Sequence, residues 1–109
     1  MCFLPGKSMA QCDLKFDFRI EEAMDNQDNG KIYIRLLGAE GNYTFKLFDW
    51  EDGKNEYTRE IKISTLKKGE EILVFDQLKP SIYTVQAFDE KGCQTSIGGI
   101  NKIVLSAKQ

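Results

Sequence analysis

The chain has 109 residues, which is enough for one domain with a single hydrophobic core. Lysine and arginine number 15 and aspartate and glutamate 17, so the net charge at neutral pH is −2. Nucleic-acid-binding proteins usually cluster basic side chains that contact the phosphates. The charges of this chain are interspersed and slightly acidic overall, which excludes a nucleic-acid-binding surface of that kind. No apolar stretch reaches the roughly 18 residues of a membrane-spanning helix, so no membrane insertion is predicted.

Residues 1–11 are predicted to form a leader rather than part of the folded domain. Their sequence, MCFLPGKSMAQ, has small residues at Ser8 and Ala10, as the cleavage region of a secretory signal does. The apolar portion before them is too short for a working signal. Two interpretations therefore remain, the remnant of a truncated signal peptide or an ordinary disordered leader. The domain itself is expected to span residues 12–109.

Alternation of apolar and polar residues predicts a series of short β-strands. The first, Asp13–Ile20, alternates without interruption, so its apolar side chains are expected to face the core: Leu14, Phe16, Phe18 and Ile20. Further strands are predicted at Lys31–Leu37, Tyr43–Asp49, Tyr57–Ser64, Ile72–Phe75, Ser81–Asp89 and Ile100–Leu105. Polar turn segments separate the strands, and no window shows convincing helical periodicity. The pattern predicts an all-β fold, an immunoglobulin-like antiparallel β-sandwich of about seven strands.

The segment Asp25–Gly30, DNQDNG, resembles the start of a calcium-binding loop. An EF-hand requires Asp or Asn at the third position and Glu at the twelfth, whereas Gln27 and Leu36 stand there. The segment is therefore predicted to be a polar turn that leads into the next strand, with an irregular calcium site as the alternative. No metal-binding residue and no cofactor are assigned.

The residue types argue against catalysis. The chain has no histidine, which removes Ser-His and Cys-His nucleophilic systems and most zinc sites. Its three cysteines form no Cys-x-x-Cys pair. Paired carboxylates of the kind that a glycosidase uses arise by chance in any acidic sandwich. The protein is therefore expected not to be an enzyme, and no catalytic residue is assigned.

One stretch resembles a known family. Leu78-x-Pro80-x-x-Tyr83-x-Val85 has the pattern of a tyrosine corner, in which the Tyr83 hydroxyl returns to nearby backbone. It is similar to fibronectin type III modules, and more closely to the SprB-type repeats and related PKD-like modules of Bacteroidetes surface adhesins. The matching positions are Asn29–Ile34 (NGKIYI), Tyr43–Leu47 (YTFKL), Leu78, Tyr83, Val85, Asp89, Gly92 and Cys93.

The chain departs from the repeat pattern at three places. Leu47 stands where the repeats have Trp, the expected Gly before Tyr83 is missing, and the segment Trp50–Glu71 is longer. The resemblance implies an exported, non-catalytic Ig-like module that is secreted, periplasmic or on the cell surface. It implies a structural or protein-interaction role, as in an adhesin or an envelope-associated protein.

Alternation also predicts a face for a partner, which is expected to be a protein or a neighbouring domain. If the third and sixth strands are neighbours, four apolar side chains point away from the core: Phe48, Trp50, Ile82 and Phe88. Exposed aromatic groups often mark a binding surface. The alternative is that Trp50 plugs one end of the core, or that the charged segment after it covers the face. Other functions left open are glycan binding, with Trp50, Phe48 and Tyr57 stacking on sugar rings, and inhibition of an enzyme by a small exported protein.

Two cysteines are predicted to form a disulfide. Cys12 precedes the first strand and Cys93 follows the turn after the sixth, and these points lie at the same end of an Ig-like sandwich. A bridge would explain a cysteine so near a turn, where a free thiol is open to oxidation. It requires an oxidising compartment. The alternative is that all three thiols are free.

Overall fold

The computed structural model describes residues 12–24, 28–50, 56–97, 103–105 and 107–108. The described part contains β-strands and no helix. The strands are β1 (Phe16–Glu21), β2 (Ala23–Met24), β3 (Gly30–Leu36), β4 (Gly41–Asp49), β5 (Glu56–Leu66), β6 (Glu71–Leu78), β7 (Ser81–Asp89), β8 (Gln94–Ile97), β9 (Ile103–Leu105) and β10 (Ala107–Lys108). No helix in these ranges is long and apolar enough to cross a membrane.

Seven of the strands form two antiparallel sheets that pack face to face. The first sheet has the order β1-β3-β6 and the second the order β5-β4-β7-β8. β9 pairs with the first half of β7, and β8 pairs with the second half. β2 and β10 form a short parallel pair. The predicted seven-strand β-sandwich is confirmed, and the third and sixth predicted strands, now β4 and β7, are neighbours.

The core consists of the inward-facing residues of both sheets. Because side chains alternate along a strand, every second residue of β3, β4 and β7 is buried. The buried apolar residues are Ile32, Ile34, Leu36, Tyr43, Phe45, Leu47, Leu66, Val74, Phe75, Leu78, Tyr83, Val85, Ala87 and Ile97. Phe16 from the first sheet packs edge-on against the Tyr43 and Phe45 rings at centroid distances of 5.3 and 5.5 Å. No polar or charged side chain is buried within the described ranges.

β1 forms an edge of the first sheet, which changes one prediction. Leu14, Phe16 and Ile20 pack against the core as expected, but Phe18 is 37% exposed. Phe18 pairs with Ile34 of β3 on one side, and no described strand covers its other side. An inward-facing residue of an edge strand therefore keeps part of its surface in water.

A β-bulge explains the apolar run in β6. Ile32 of β3 pairs with Phe75 and Tyr33 pairs with Leu73, so Val74 has no partner of its own. The extra residue changes the alternation, which allows Val74 and Phe75 to be buried consecutively. Leu73 is turned to the outer face and is 40% exposed.

β8 is a strand that the sequence pattern did not predict. Ile100–Leu105 was expected to end the domain, but the chain first pairs with β7 through β8, whose four residues are polar except for Ile97. Only Ile103–Leu105 of the predicted strand is described, as β9. The polar, half-exposed residues of β8 gave no apolar alternation by which it could be recognised.

Side chains on the outer face connect the three strands of the first sheet. The Arg19 guanidinium lies over the Tyr33 ring, 4.0 Å from its centroid, and donates to both Glu71 carboxylate oxygens at 3.2 and 3.0 Å. Arg19 thus spans β3 and reaches β6. Its hydrogen bonds lower the pKa of the Glu71 carboxyl. All of these charged groups are about half exposed, so each pair contributes little alone.

Candidate functional site

The turn between β7 and β8 is built around Asp89. Its Oδ1 atom accepts hydrogen bonds from the backbone N–H groups of Lys91 and Cys93, both at 2.9 Å. Gly92 has a φ of +90°, which a residue with a side chain adopts only at a cost. The carboxylate and the glycine together fix the direction in which Cys93 leaves the turn.

Cys93 is joined to Cys12 in a disulfide, as predicted. Their Cα atoms are 5.9 Å apart, within the range that an unstrained backbone allows. The bond connects two cysteines 81 positions apart in the sequence and ties the segment before β1 to the β7–β8 turn. The predicted leader, residues 1–11, lies outside the described residues, as does the Asp25–Gln27 part of the loop considered for calcium.

Two tyrosines at strand starts donate to the backbone four residues earlier. The buried Tyr83 donates its hydroxyl proton to the Lys79 carbonyl oxygen at 2.6 Å, the contact that defines a tyrosine corner. Tyr43 of β4 makes the same contact with the Ala39 carbonyl oxygen. This second contact was not predicted, although Tyr43 also follows a turn and begins an alternating strand. Burial raises the pKa of the Tyr43 hydroxyl, and the nearby Asp89 charge adds to the effect.

Two predicted partner-binding residues, Phe48 and Trp50, lie at one end of the outer face of the second sheet. Phe48 stands opposite Thr84 of β7, and the Trp50 backbone N–H donates to the Ile82 carbonyl oxygen at 2.8 Å, which extends the same ladder. On the other side Phe48 meets Tyr57 of β5 edge-on, with ring centroids 5.9 Å apart. These contacts bring four side chains together as one surface, here named the aromatic patch: Phe48, Trp50, Tyr57 and Ile82.

Trp50 is fixed on the outer side of the sheet. Its indole Nε1–H donates to the Thr84 Oγ1 atom at 2.7 Å, and Thr84 points away from the core. The ring is half-buried. It therefore lies against the outer face of β7 instead of plugging the end of the sandwich. The other suggested cover was the charged insert within Trp50–Glu71, which is described from Glu56 onward and forms β5 beside β4, while residues 51–55 lie outside the described residues.

Exposure within the aromatic patch is uneven. Tyr57 is 56% exposed and Ile82 is 40% exposed, whereas the Phe48 ring is half-buried between its neighbours. The Tyr57 hydroxyl lies 3.4 Å from a Glu60 carboxylate oxygen. The pKa of Tyr57 is raised, chiefly by desolvation and then by the Glu60 charge. Tyr57 was not among the four residues of the predicted protein-binding face, but the glycan-binding alternative grouped it with Phe48 and Trp50, and a register shift between β4 and β5 places it opposite Phe48.

Phe88 lies on the same face but is separate from the aromatic patch. It stands opposite Thr44, at the other end of β4 and β7, and the Lys46 ammonium is 5.0 Å from its ring centroid. It lines a cavity of about 270 Å³ together with Asn42 and Lys62. The predicted group of four is thus divided, with Phe48, Trp50 and Ile82 together and Phe88 apart.

The described residues offer few features for small-ligand chemistry. No three side chains of His, Cys, Asp or Glu come together in these ranges as a group that could hold a metal ion. The four described cavities are lined by residues outside the aromatic patch. Comparison of the chain with known protein families, with curated proteins and with solved structures found no match.

Proposed function

We propose that this protein is a non-catalytic Ig-like module that binds a protein partner through the aromatic patch. The observation that carries the proposal is the exposure of two side chains, Tyr57 at 56% and Ile82 at 40%. They lie beside the Trp50 indole, which is already fixed by its hydrogen bond to Thr84. Aromatic side chains that are ordered before binding lose little conformational entropy when a partner covers them. Such groups are common at the centres of protein interfaces.

The surroundings of the aromatic patch favour a protein over a small ligand. Because the described cavities are lined by other residues, the patch has no described pocket that would enclose a small molecule. Charges of both signs border it, with Lys46 on β4 opposite Glu60 on β5. An apolar centre with a mixed polar rim is the usual composition of a protein interface.

The same proposal places the protein outside the cytoplasm, as a secreted, periplasmic or cell-surface module. The disulfide supports this location, because such bonds persist in oxidising compartments. The resemblance to SprB-type and PKD-like modules of surface adhesins points the same way. The absence of histidine supports a role without turnover.

Glycan binding is the second candidate, and the observation in its favour is the exposed ring of Tyr57. A sugar-binding platform normally offers more than one ring face, however, and both Phe48 and Trp50 are half-buried. Stacking would therefore depend mainly on Tyr57. The two candidates differ in the ligand and not in the surface.

The test compares capture of ligands by matched variants. Ile82→Ala and Tyr57→Ala alter the aromatic patch. The control, Leu73→Ala, truncates a side chain on the opposite sheet that is 40% exposed, as Ile82 is. Immobilised proteins are incubated with envelope extract from the native host and, separately, with a glycan array. We expect the wild type and Leu73→Ala to retain the same protein, and each patch variant to bind it at least about 30-fold more weakly.

Two results would contradict the proposal. One is equal retention of the captured protein by all variants, which would place its contact elsewhere on the module. The other is specific binding of a glycan that Tyr57→Ala abolishes, which would favour the second candidate. Each variant is first compared with the wild type by thermal unfolding, so that loss of folding is not mistaken for loss of contact.

A further inference from the structure

The disulfide divides the chain into a closed ring and the segments outside it. Cys12 and Cys93 are 81 positions apart, so the ring contains every strand from β1 to β7, and β8 and the strands after it follow the ring. Both sheets take most of their strands from within the ring. The aromatic patch also lies entirely between the two cysteines.

We propose that the Cys12–Cys93 bond makes this domain a link that resists extension under tension. A pulling force that enters the chain before Cys12 passes through the disulfide and leaves after Cys93. The ring carries none of that tension, because its two ends are covalently joined at the point where the force crosses. Strands β1 to β7, and the surface formed on them, then keep their structure while the protein is pulled.

The bond removes an edge strand from the path of such a force. Without it, tension from the N-terminal side would act first on β1, an edge strand that is paired only with β3 among the described strands. Phe18 of β1 is 37% exposed, and the Arg19–Glu71 ion pair that crosses to β6 is about half exposed, so neither anchors the strand strongly. Cys12 precedes β1 by four positions and removes it from the path of the force.

The other end of the bond is attached to a rigid part of the molecule. Asp89 accepts two backbone hydrogen bonds at 2.9 Å within the turn that carries Cys93, and Asp89 itself ends β7 in the middle of the second sheet. After Cys93, the first element under tension is β8, which pairs with β7 over Gln94–Ile97. Among the described strands, only β8 and those after it can therefore be peeled from the oxidised domain by such a force.

Single-molecule force spectroscopy on the full chain tests this inference. The chain carries a handle at each end and the substitution Cys2→Ser, which leaves Cys12 and Cys93 as the only cysteines. The oxidised protein should lengthen by at most about 90–97 Å, the contour of the 11 residues before Cys12 and the 16 residues after Cys93 at roughly 3.3–3.6 Å each. After a reducing agent is added, unfolding of the same molecule should release about 270–290 Å more, from the 81-position ring.

Release of the ring length by the oxidised protein would overturn the inference, because the bond would then not carry the force. Equal length gains with and without reductant would do the same. The Cys12→Ser/Cys93→Ser double variant should behave as the reduced wild type does. If that variant does not fold, reduction of one wild-type molecule between successive pulls gives the comparison without it. The readout is a length, so it is independent of whether the aromatic patch has a partner.

Discussion

The position of Trp50 gives a quantitative prediction. Trp50→Phe removes the indole N–H that donates to the Thr84 Oγ1 atom at 2.7 Å and keeps an aromatic ring against β7. A hydrogen bond of this kind contributes a net stabilisation of about 1 kcal/mol. The smaller ring also buries less apolar surface, which brings the expected loss in the free energy of unfolding to about 1–2 kcal/mol. A Trp that filled the core would cost about 3–5 kcal/mol on truncation to Ala.

A double-mutant cycle isolates the hydrogen bond. Thr84→Val removes the acceptor while keeping the shape of the side chain, and the combination with Trp50→Phe should show a coupling of about 1 kcal/mol. Urea unfolding followed by circular dichroism measures all four proteins, since the chain has a single Trp and its fluorescence is lost in the two proteins that carry Trp50→Phe. Additive effects of the two substitutions would refute the placement of the indole on the outer face against Thr84.

Three further predictions concern the framework. Reduction of the Cys12–Cys93 disulfide should lower the free energy of unfolding by about 4 kcal/mol, because a ring of this length strongly restricts the unfolded chain; urea unfolding with and without reductant checks it, and unchanged stability would contradict it. Gly38→Ala should cost about 1–3 kcal/mol, because its Cβ would overlap the backbone before β1, whereas the control Gly41→Ala meets open space and should cost less. The carboxyl of Glu71 has a pKa below its ordinary value of 4.5, so the ionised carboxylate stabilises the fold fully above about pH 4.5, and this stabilisation is lost as the pH falls through the lowered pKa. The difference in unfolding free energy between wild type and Glu71→Gln should therefore vanish in acid. A difference that persists there would contradict the ion pair.

The sequence predicted the parts of the fold that depend on alternation within one strand. The inward positions Tyr43, Phe45 and Leu47 follow from a period of two, and they are buried as expected. The strand Ser81–Asp89 was predicted with the bounds that β7 has. The disulfide followed from the order of strands in an Ig-like sandwich, since that order alone brings the two cysteines to one end of the molecule.

Features that depend on the partner strand were not predictable in this way. The bulge at Val74 arises from the register of β6 with β3, and the exposure of Phe18 arises because β1 is an edge. The hydrogen bond between Trp50 and Thr84 joins residues 34 positions apart, so no local sequence pattern predicts it. The pairing of Tyr57 with Phe48 likewise depends on a register shift between β4 and β5, although the glycan-binding alternative had already grouped these two residues with Trp50.

Site-specific photo-crosslinking in the native host tests the central claim, that the aromatic patch is where a protein partner docks. A benzophenone amino acid replaces Tyr57 in one protein and Leu73 in the other, so that one probe lies in the patch and the other on the opposite sheet, at residues 56% and 40% exposed. The account predicts a protein adduct of defined mass from position 57 and none, or only a weak one, from position 73. An adduct from position 73 alone, or adducts of equal yield from both positions, would contradict it.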